Sequence, residues 1–224
     1  MKQKTISLPI TDDINALLSH PHPVVALNLM GLYLFMTGKV GTEKVIFWVD
    51  GIFGRLACRM NNIHVDRIPG RDIVKRLIVY LSKHNKSRRL KILGGPPIIE
   101  NLSAMVGHSI HQIDFPLLSE TELMSFDYSQ FSATDIIIIA VASPKQELIA
   151  EAIFSTTKAK CICAGGAINM LAGNETPAPR LVVALGMESL FRLQHEPVRR
   201  IKRIVRTLPK GCIGAFLIKL HRGV

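Results

Sequence analysis

The stretch 135-DIIIIAVASPKQELIAEAI-153 joins a run of aliphatic side chains to a segment of helical period, and the joint between them decides the fold. Four consecutive isoleucines leave no polar face, so the run from Asp135 reads as a strand buried on both sides, the form found in parallel sheets covered by helices. The Ser-Pro-Lys-Gln-Glu cluster at 143–147 sits where that strand ends. Ser143 suits an N-cap, Pro144 the first helical position and Gln146 the third, where it would complete a capping box. Capping does not account for Lys145. A cation beside the positive end of a helix dipole is unfavourable unless an anion lies near it. The first-turn amides of a helix themselves attract anions, which makes this joint a candidate phosphate site.

The same alternation extends in both directions. Apolar runs that read as strands fall at 24–28, 45–49, 90–93, 110–113, 135–142 and 159–163; helical patterns fall at 14–19, 51–60, 71–84, 98–106, 144–155 and 180–194. Strands alternating with helices, without internal repeats or low-complexity linkers, point to an α/β protein with a parallel sheet. Ligands bind such sheets at the carboxyl ends of the strands. The loops to watch there are Asn28 after VVAL, Asp50-Gly51 after VIFWV, 94-GGPP-97 after LKIL, the 143–147 cluster, and Gly165-Gly166 after CICA. Neither a Walker A sequence nor G-x-G-x-x-G occurs, which argues against the common nucleoside triphosphatase and dinucleotide folds.

The chain of 224 residues is 48% apolar and 20% charged, which excludes a disordered protein. No apolar run approaches the roughly 18 to 20 residues needed to span a bilayer. The segment 1-MKQKTISLPITDD-13 lacks the apolar block of a secretory signal, so a cytoplasmic location is expected. Cys58, Cys161, Cys163 and Cys212 form no C-x-x-C pair and read as buried thiols, with no metal site expected.

The net charge of +11 calls for an anionic partner. From residue 190 onward nine Lys and Arg face one acid, Glu196, so most of the excess lies in the tail. Within 197-PVRRIKRIVRTLPK-210 the apolar Val198, Ile201, Val205 and Leu208 repeat at helical spacing, with Arg199, Lys202, Arg203 and Arg206 off that stripe. Such a basic amphipathic helix either lies in an anionic membrane surface or packs its stripe on the protein's own core. The following 212-CIGAFLIKL-220 is too short to span and reads as further apolar area able to dip into the interface. Specific nucleic-acid binding is not expected. Phe216 is the one aromatic the tail offers for base stacking, although its charge would attract phosphate backbones nonspecifically.

Taken in chain order, Asn28, Asp50-Gly51, 67-RIPG-70, Gly94-Gly95, 141-VASPKQELIAEAI-153, 165-GGAINMLAG-173, Ala178-Pro179, 187-MESLFRL-193 and 196-EPVRRIKR-203 resemble the motifs of the WecG/TagA/CpsF glycosyltransferases. The resemblance covers nearly the whole chain from about residue 20. It implies a Rossmann-like, mostly parallel sheet with helices on both faces as a core over 1–195, and a basic amphipathic helical appendage over 196–224. It further implies an inverting transfer of a hexose, N-acetylhexosamine or uronate from a UDP-sugar to a polyprenyl-diphosphate-linked saccharide. The pathway implied is exopolysaccharide, capsule or teichoic-acid-type synthesis, at the inner face of the plasma membrane.

Within that implied reaction Asp50 is the candidate base, and on spacing alone it reads equally as the N-cap of the helix over 51–60. Asn28, Ser143, Lys145 and Gln146 are candidate substrate ligands; Gly94 and Gly95 are candidate shapers of a nucleotide-facing turn; Arg67 either binds a phosphate or holds the loop near Asp50. The resemblance places Arg192, Arg199 or Arg200, and Arg203 at the departing diphosphate, a role that suits the fixed fork of a guanidinium. Asp-x-Asp is absent, so a metal-independent reaction with no cofactor is expected. The family pattern is altered at Ala26, Ala142, Asn169, Pro177 and Ser189, where Thr, Gly, Asp, Arg and Trp are usual, which leaves the sugar open. A catalytically silent scaffold and a nucleic-acid-binding protein are the competing functions, and a homo-oligomer is compatible with the sequence.

Overall fold

A computed structural model describes residues 7–38, 45–84, 88–97, 110–116, 118–174, 176, 178–185, 187–194, 197–217 and 219–222. The strands are β1 (Ser7–Ile10), β2 (Val24–Leu27), β3 (Ile46–Val49), β4 (Arg89–Leu93), β5 (Ile110–Ile113), β6 (Asp135–Ile139), β7 (Lys160–Cys163) and β8 (Lys219–Arg222). The helices are α1 (Ile14–Ser19), α2 (Leu29–Met36), α3 (Gly51–Met60), α4 (Gly70–His84), α5 (Glu120–Ser125), α6 (Lys145–Thr157), α7 (Gly165–Leu171), α8 (Arg180–Ala184), α9 (Glu188–Phe191) and α10 (Pro197–Leu217). A short 3-10 turn, Arg192–Gln194, separates the last two.

The chain forms two compact units. One contains Met1–Leu17, Ala26–Pro69 and Thr176–Val224; the other contains Leu18–Val25 and Gly70–Glu175. Strand β2 is divided between them after Val25. In the second unit the strand order is β5-β4-β6-β7, with Val24 of β2 opposite Ile162 of β7; in the first, the remainder of β2 is followed by β3, β1 and β8. Every described pairing is parallel. The protein is therefore an α/β protein with a parallel sheet and helices around it. The physical reason is visible in the strands, since β2, β3, β6 and β7 are buried at every residue and carry no half-exposed alternation.

The one acid in those runs, Asp135, is buried at the start of β6. Its carboxylate accepts from Arg89 Nε at 3.0 Å and Lys91 Nζ at 2.8 Å, both on β4, and from the Ser132 amide at 2.9 Å. A buried charge is tolerated only when paired in this way. Because β4 and β6 align Arg89 with Asp135, the pair also anchors the register of the central strands.

Several expected boundaries change. Strand β6 ends at Ile139 rather than 142, and the helical pattern at 180–194 is three short pieces, α8, α9 and the 3-10 turn. The helix expected over 98–106 lies outside the described residues. Strands β1 and β8 were not expected at all, and 212–220 divides between two elements: 212–217 continue α10, and Lys219 and Leu220 pair with Ser7 and Leu8 of β1. Backbone groups of an otherwise open sheet edge are satisfied by this pairing, which is why a charged, short segment becomes a strand there. Among the described residues no helix is long and apolar enough to cross a membrane.

Helix α10 packs against α2 and α3 in the first unit. Its carboxyl half reaches α2 through small residues. A Cβ on Gly211 would lie 2.9 Å from the Leu29 carbonyl oxygen, one on Gly214 3.2 Å from that of Leu32, and Ala215 is buried beside them. The amino half behaves differently: Val198, Ile201, Val205 and Leu208, the predicted apolar stripe, are all exposed. Gly211→Val is expected to push α10 off α2 and to lower unfolding stability by about 1–3 kcal/mol. Thermal melts compared with Lys210→Ala, an exposed neighbour, would check this; equal melting points for the two variants would refute it.

Candidate active site

The first unit assembles a carboxylate-centred cluster from the ends of two adjacent strands. Asn28 follows β2 and starts α2, while Asp50 follows β3 and precedes α3. The Asp50 amide donates to the Leu27 carbonyl at 3.1 Å, tying the two strand ends together. Both helices depart at very close range. A Cβ on Gly31 would stand 2.4 Å from the Ala26 carbonyl oxygen and one on Gly54 only 1.9 Å from that of Leu27, so neither position admits a side chain. Gly51 turns the chain with a φ of 71°, which the Asp-Gly dipeptide makes accessible.

Asp50 occupies the N-cap position of α3 but makes no side-chain cap bond. Its carboxylate is therefore not consumed by the helix. Asn28, by contrast, is a true cap: its Oδ1 accepts from the amides of Met30 and Gly31, each at 3.0 Å. With the oxygen held there, the amide nitrogen is the end left to hydrogen-bond to Asp50, and that bond favours the ionised carboxylate. Asn28 is thus hydrogen-bonded both to the start of α2 and to the candidate base.

Three charged residues complete the cluster. The Arg67 guanidinium pairs through Nη1 with Glu188 Oε2 at 3.5 Å and donates through Nη2 to the Val183 carbonyl. The next residue, Ile68, donates its amide to Val49 at 3.0 Å, so the arginine is held beside the end of β3. Arg67 therefore holds the loop and fastens the α8–α9 segment to it. Burial pushes the Asp50 pKa up to about 6, with the Glu188 carboxylate adding to the rise and Arg192, Arg67 and the Asn28 bond opposing it. A carboxylate so balanced changes protonation near neutral pH, as a general base requires.

Glu188 escaped the reading of the sequence. It lies inside 187-MESLFRL-193, but only the arginine there looked like chemistry. Its Oε2 is paired with Arg67, and its buried Oε1 has no hydrogen-bond partner among the described residues. A spacing signal existed, since Glu188 and Arg192 stand four apart, the distance at which helical side chains share a face.

Of the tail arginines, Arg192 acts electrostatically on Asp50, Arg200 is half-buried with its Nε withdrawn from solvent, and Arg203 is exposed. The side chain of Arg199 lies outside the described residues.

The second unit gathers the remaining candidates around the end of β6. Ser143 is not an N-cap, which corrects the expected capping box: α6 starts at Lys145, Pro144 takes the cap position, and no side chain caps it. Instead Ser143 Oγ donates to Glu147 Oε1 at 2.6 Å, and Gln146 Nε2 donates to Ser143 Oγ at 2.6 Å and to Glu147 Oε1 at 2.8 Å. The Gln146 oxygen accepts the Gly165 amide at 3.0 Å. Both ends of Gln146 are thus engaged within the protein, and buried Glu147 rather than the helix amides organises the turn. The Lys145 ammonium donates to the Leu118 carbonyl, and the Glu122 carboxylate lies near enough to interact with it electrostatically, a negative charge of the kind its position beside a helix start favours.

Gly94 and Gly95 have φ of 73° and 79° and lie against Val141 and Ala140. Gln112 of β5 holds their turn by donating to the carbonyls of Gly94, Gly95 and Pro96 at 3.2, 3.3 and 2.8 Å. The glycine turn, the 140–147 segment and Gly165 therefore pack together, a Cβ on Gly165 falling 2.3 Å from the Val141 oxygen. Cys58, Cys161 and Cys163 are buried, and burial raises all three thiols, Cys58 to about 11. Among the described residues no group of three His, Cys, Asp or Glu is placed to hold a metal ion.

The loops at Asn28, Asp50, Gly94, Ser143 and Gly165 all follow strand ends, in the chain order of the glycosyltransferase-like motifs. A family model described as "Glycosyl transferase WecG/TagA/CpsF family" matches residues 14–223, nearly the whole chain. The match spans both units and includes Asp50, Arg67, Glu188 and Arg192. The chain belongs to the WecG/TagA/CpsF family of glycosyltransferases.

Proposed function

We propose that the protein is an inverting hexosyltransferase that uses a UDP-sugar and a polyprenyl-diphosphate-linked saccharide acceptor, working at the cytoplasmic face of the membrane in surface-polysaccharide synthesis. The observation that carries this reading is the state of Asp50: a strand-end carboxylate free of capping duty, aligned by Asn28, with its pKa raised to about 6 between Arg67, Arg192 and Glu188.

In the proposed reaction the acceptor hydroxyl oxygen attacks the anomeric carbon on the face opposite the nucleotide. Asp50 takes the hydroxyl proton as the new carbon–oxygen bond forms. The bond to the diphosphate breaks, and its electron pair leaves on the diphosphate oxygen. Arg192, Arg200 or Arg199, and Arg203 receive that charge, so no metal is required; the absence of Asp-x-Asp from the sequence favours this arrangement. Arg67 and Glu188 act through Asp50, the one holding its loop and lowering its pKa, the other raising it. In the second unit Ser143, Lys145, Gln146 and the Gly94-Gly95 turn are the candidate donor ligands, with backbone groups rather than the Gln146 side chain as the contacts. The stripe of Val198, Ile201, Val205 and Leu208, exposed beside Lys202 and Arg206, favours tail binding to an anionic bilayer over packing on the core.

Asp50→Asn is expected to lower kcat by about 10²–10⁴-fold with KM little changed, measured as UDP release from a panel of UDP-sugars with a lipid-diphosphate acceptor. EDTA should leave the wild-type rate intact. Turnover undiminished in Asp50→Asn would overturn the assignment of the base.

The pH dependence follows from the same carboxyl. Wild-type kcat/KM should fall with unit slope below pH 6, as the base becomes protonated. Because folding raises this acid's pKa, the folded state holds the proton more tightly than the unfolded chain. The associated stability is fully present below the ordinary carboxylate pKa of 3.8 and is lost as pH rises through about 6. Asp50→Asn should then be more stable than wild type at pH 8, by up to about 3 kcal/mol, and gain less at pH 4. Denaturant titrations at the two pH values would reveal an unchanged difference if the carboxyl is not strained.

A further inference from the structure

We infer that α3 is a second membrane-contacting face, which seats an anionic phospholipid bilayer at the helix that begins immediately after Asp50; this rests on the lipid-linked acceptor of the proposed function. Residues 51-GIFGRLACRM-60 divide cleanly by side. Gly54, Ala57 and Cys58 are buried, whereas Ile52, Leu56 and Met60 are exposed at 52%, 42% and 40%. These three repeat every fourth residue and form one stripe along the helix. Arg55 and Arg59, both exposed, run beside it at the same spacing, and α3 contains no acid.

A soluble protein seldom leaves large aliphatic side chains aligned on one short helix without a partner. The charge names that partner. A stripe of Ile, Leu and Met rimmed by arginines alone is complementary to a surface that is apolar below and anionic above. The neighbouring helix repeats the pattern: α10 packs against α3, exposes Val198 and Val205 at 65% and 67%, bears Lys202 and Arg206 beside them, and also lacks acids. Two helices in contact within one unit therefore present the same chemistry.

The consequence for the reaction is positional. Helix α3 has ten residues, about 15 Å, and Asp50 stands at its first end. When α3 lies on the bilayer, the base is no farther than one short helix from the headgroup layer, where a membrane-anchored diphosphate acceptor presents its sugar hydroxyl. The acceptor would need no extraction from the lipid.

Vesicle binding tests this with the full chain. The variants are Leu56→Glu with Met60→Glu, and Arg55→Glu with Arg59→Glu; circular dichroism confirms folding, which exposed positions should preserve. Both should cosediment with phosphatidylglycerol vesicles at least about tenfold more weakly than wild type, while α10 remains intact. Leu56→Trp should be quenched by brominated lipid above the buried Trp48 background. Transfer to a water-soluble acceptor should be unchanged in the variants, and transfer to the vesicle-bound acceptor lowered. Wild-type vesicle affinity in both pairs, or an unquenched tryptophan at 56, overturns the inference. So does conversion of a wild-type dimer to monomer by Leu56→Glu without loss of vesicle binding, which would make the stripe a contact between copies. Vesicle binding lost as expected, but with no sugar transferred by wild type to any acceptor, would sink the transferase reading and leave the lipid face standing.

Discussion

The first unit depends on how closely two helices can leave a parallel sheet. Helix α3 passes the end of β2 with Gly54 against the Leu27 carbonyl, and α2 passes with Gly31 against that of Ala26. Those approaches leave no room for a methyl group. They draw Asn28 and Asp50 into hydrogen-bonding range, so the arrangement at the centre of the cluster follows from the packing of two glycines against strand-end carbonyls.

Around that contact the charges are arranged as opposing influences. Burial and Glu188 disfavour the ionised Asp50; Arg67, Arg192 and Asn28 favour it. Neither set alone would suit the proposed base. A carboxyl with only the arginines would hold its charge so firmly that it would accept a proton poorly, and one with only burial would stay protonated at neutral pH. Arg67 is the hinge of the arrangement because it bonds to Glu188 while it faces Asp50, coupling the pair and binding α8–α9 to the strand end. The cost falls on the stability of the folded state, as is common where a site must hold a strained group.

What could be read from the residues was whatever one local pattern determines. The isoleucines of β6, the all-apolar β3 and the Asp-Gly step into α3 each have a single sensible conformation, and they placed the sheet and the candidate base. Ser143 misled because capping chemistry was judged from spacing alone, whereas its hydroxyl donates to buried Glu147, one residue outside the supposed box, and accepts from Gln146 Nε2 instead of a helix amide. The partners of Gln146 at Gly165 and Ser143 belong to tertiary packing, which spacing along the chain does not reveal. Glu188 was passed over since an acid on an apolar, broken helical segment has no meaning until Arg67, far away in sequence, is set against it. Strand β8 was illegible for a similar reason: nothing in 219-KLHR-222 announces a strand until β1 offers it an edge. The segment 51–60 was legible only as a helix, and periodicity cannot say which of its sides faces inward.

The pairing of β1 with β8 also bears on how the chain is made. Ser7 lies opposite Lys219, so the edge strand of the first unit is sealed only after nearly everything between them has been synthesised. Contacts of such long sequence separation form late and slowly. Until then β1 has only β3 for a neighbour, and its outer backbone stays available to other nascent chains. A copy cut short before Lys219 would keep that outer backbone of β1 open to pairing with other chains.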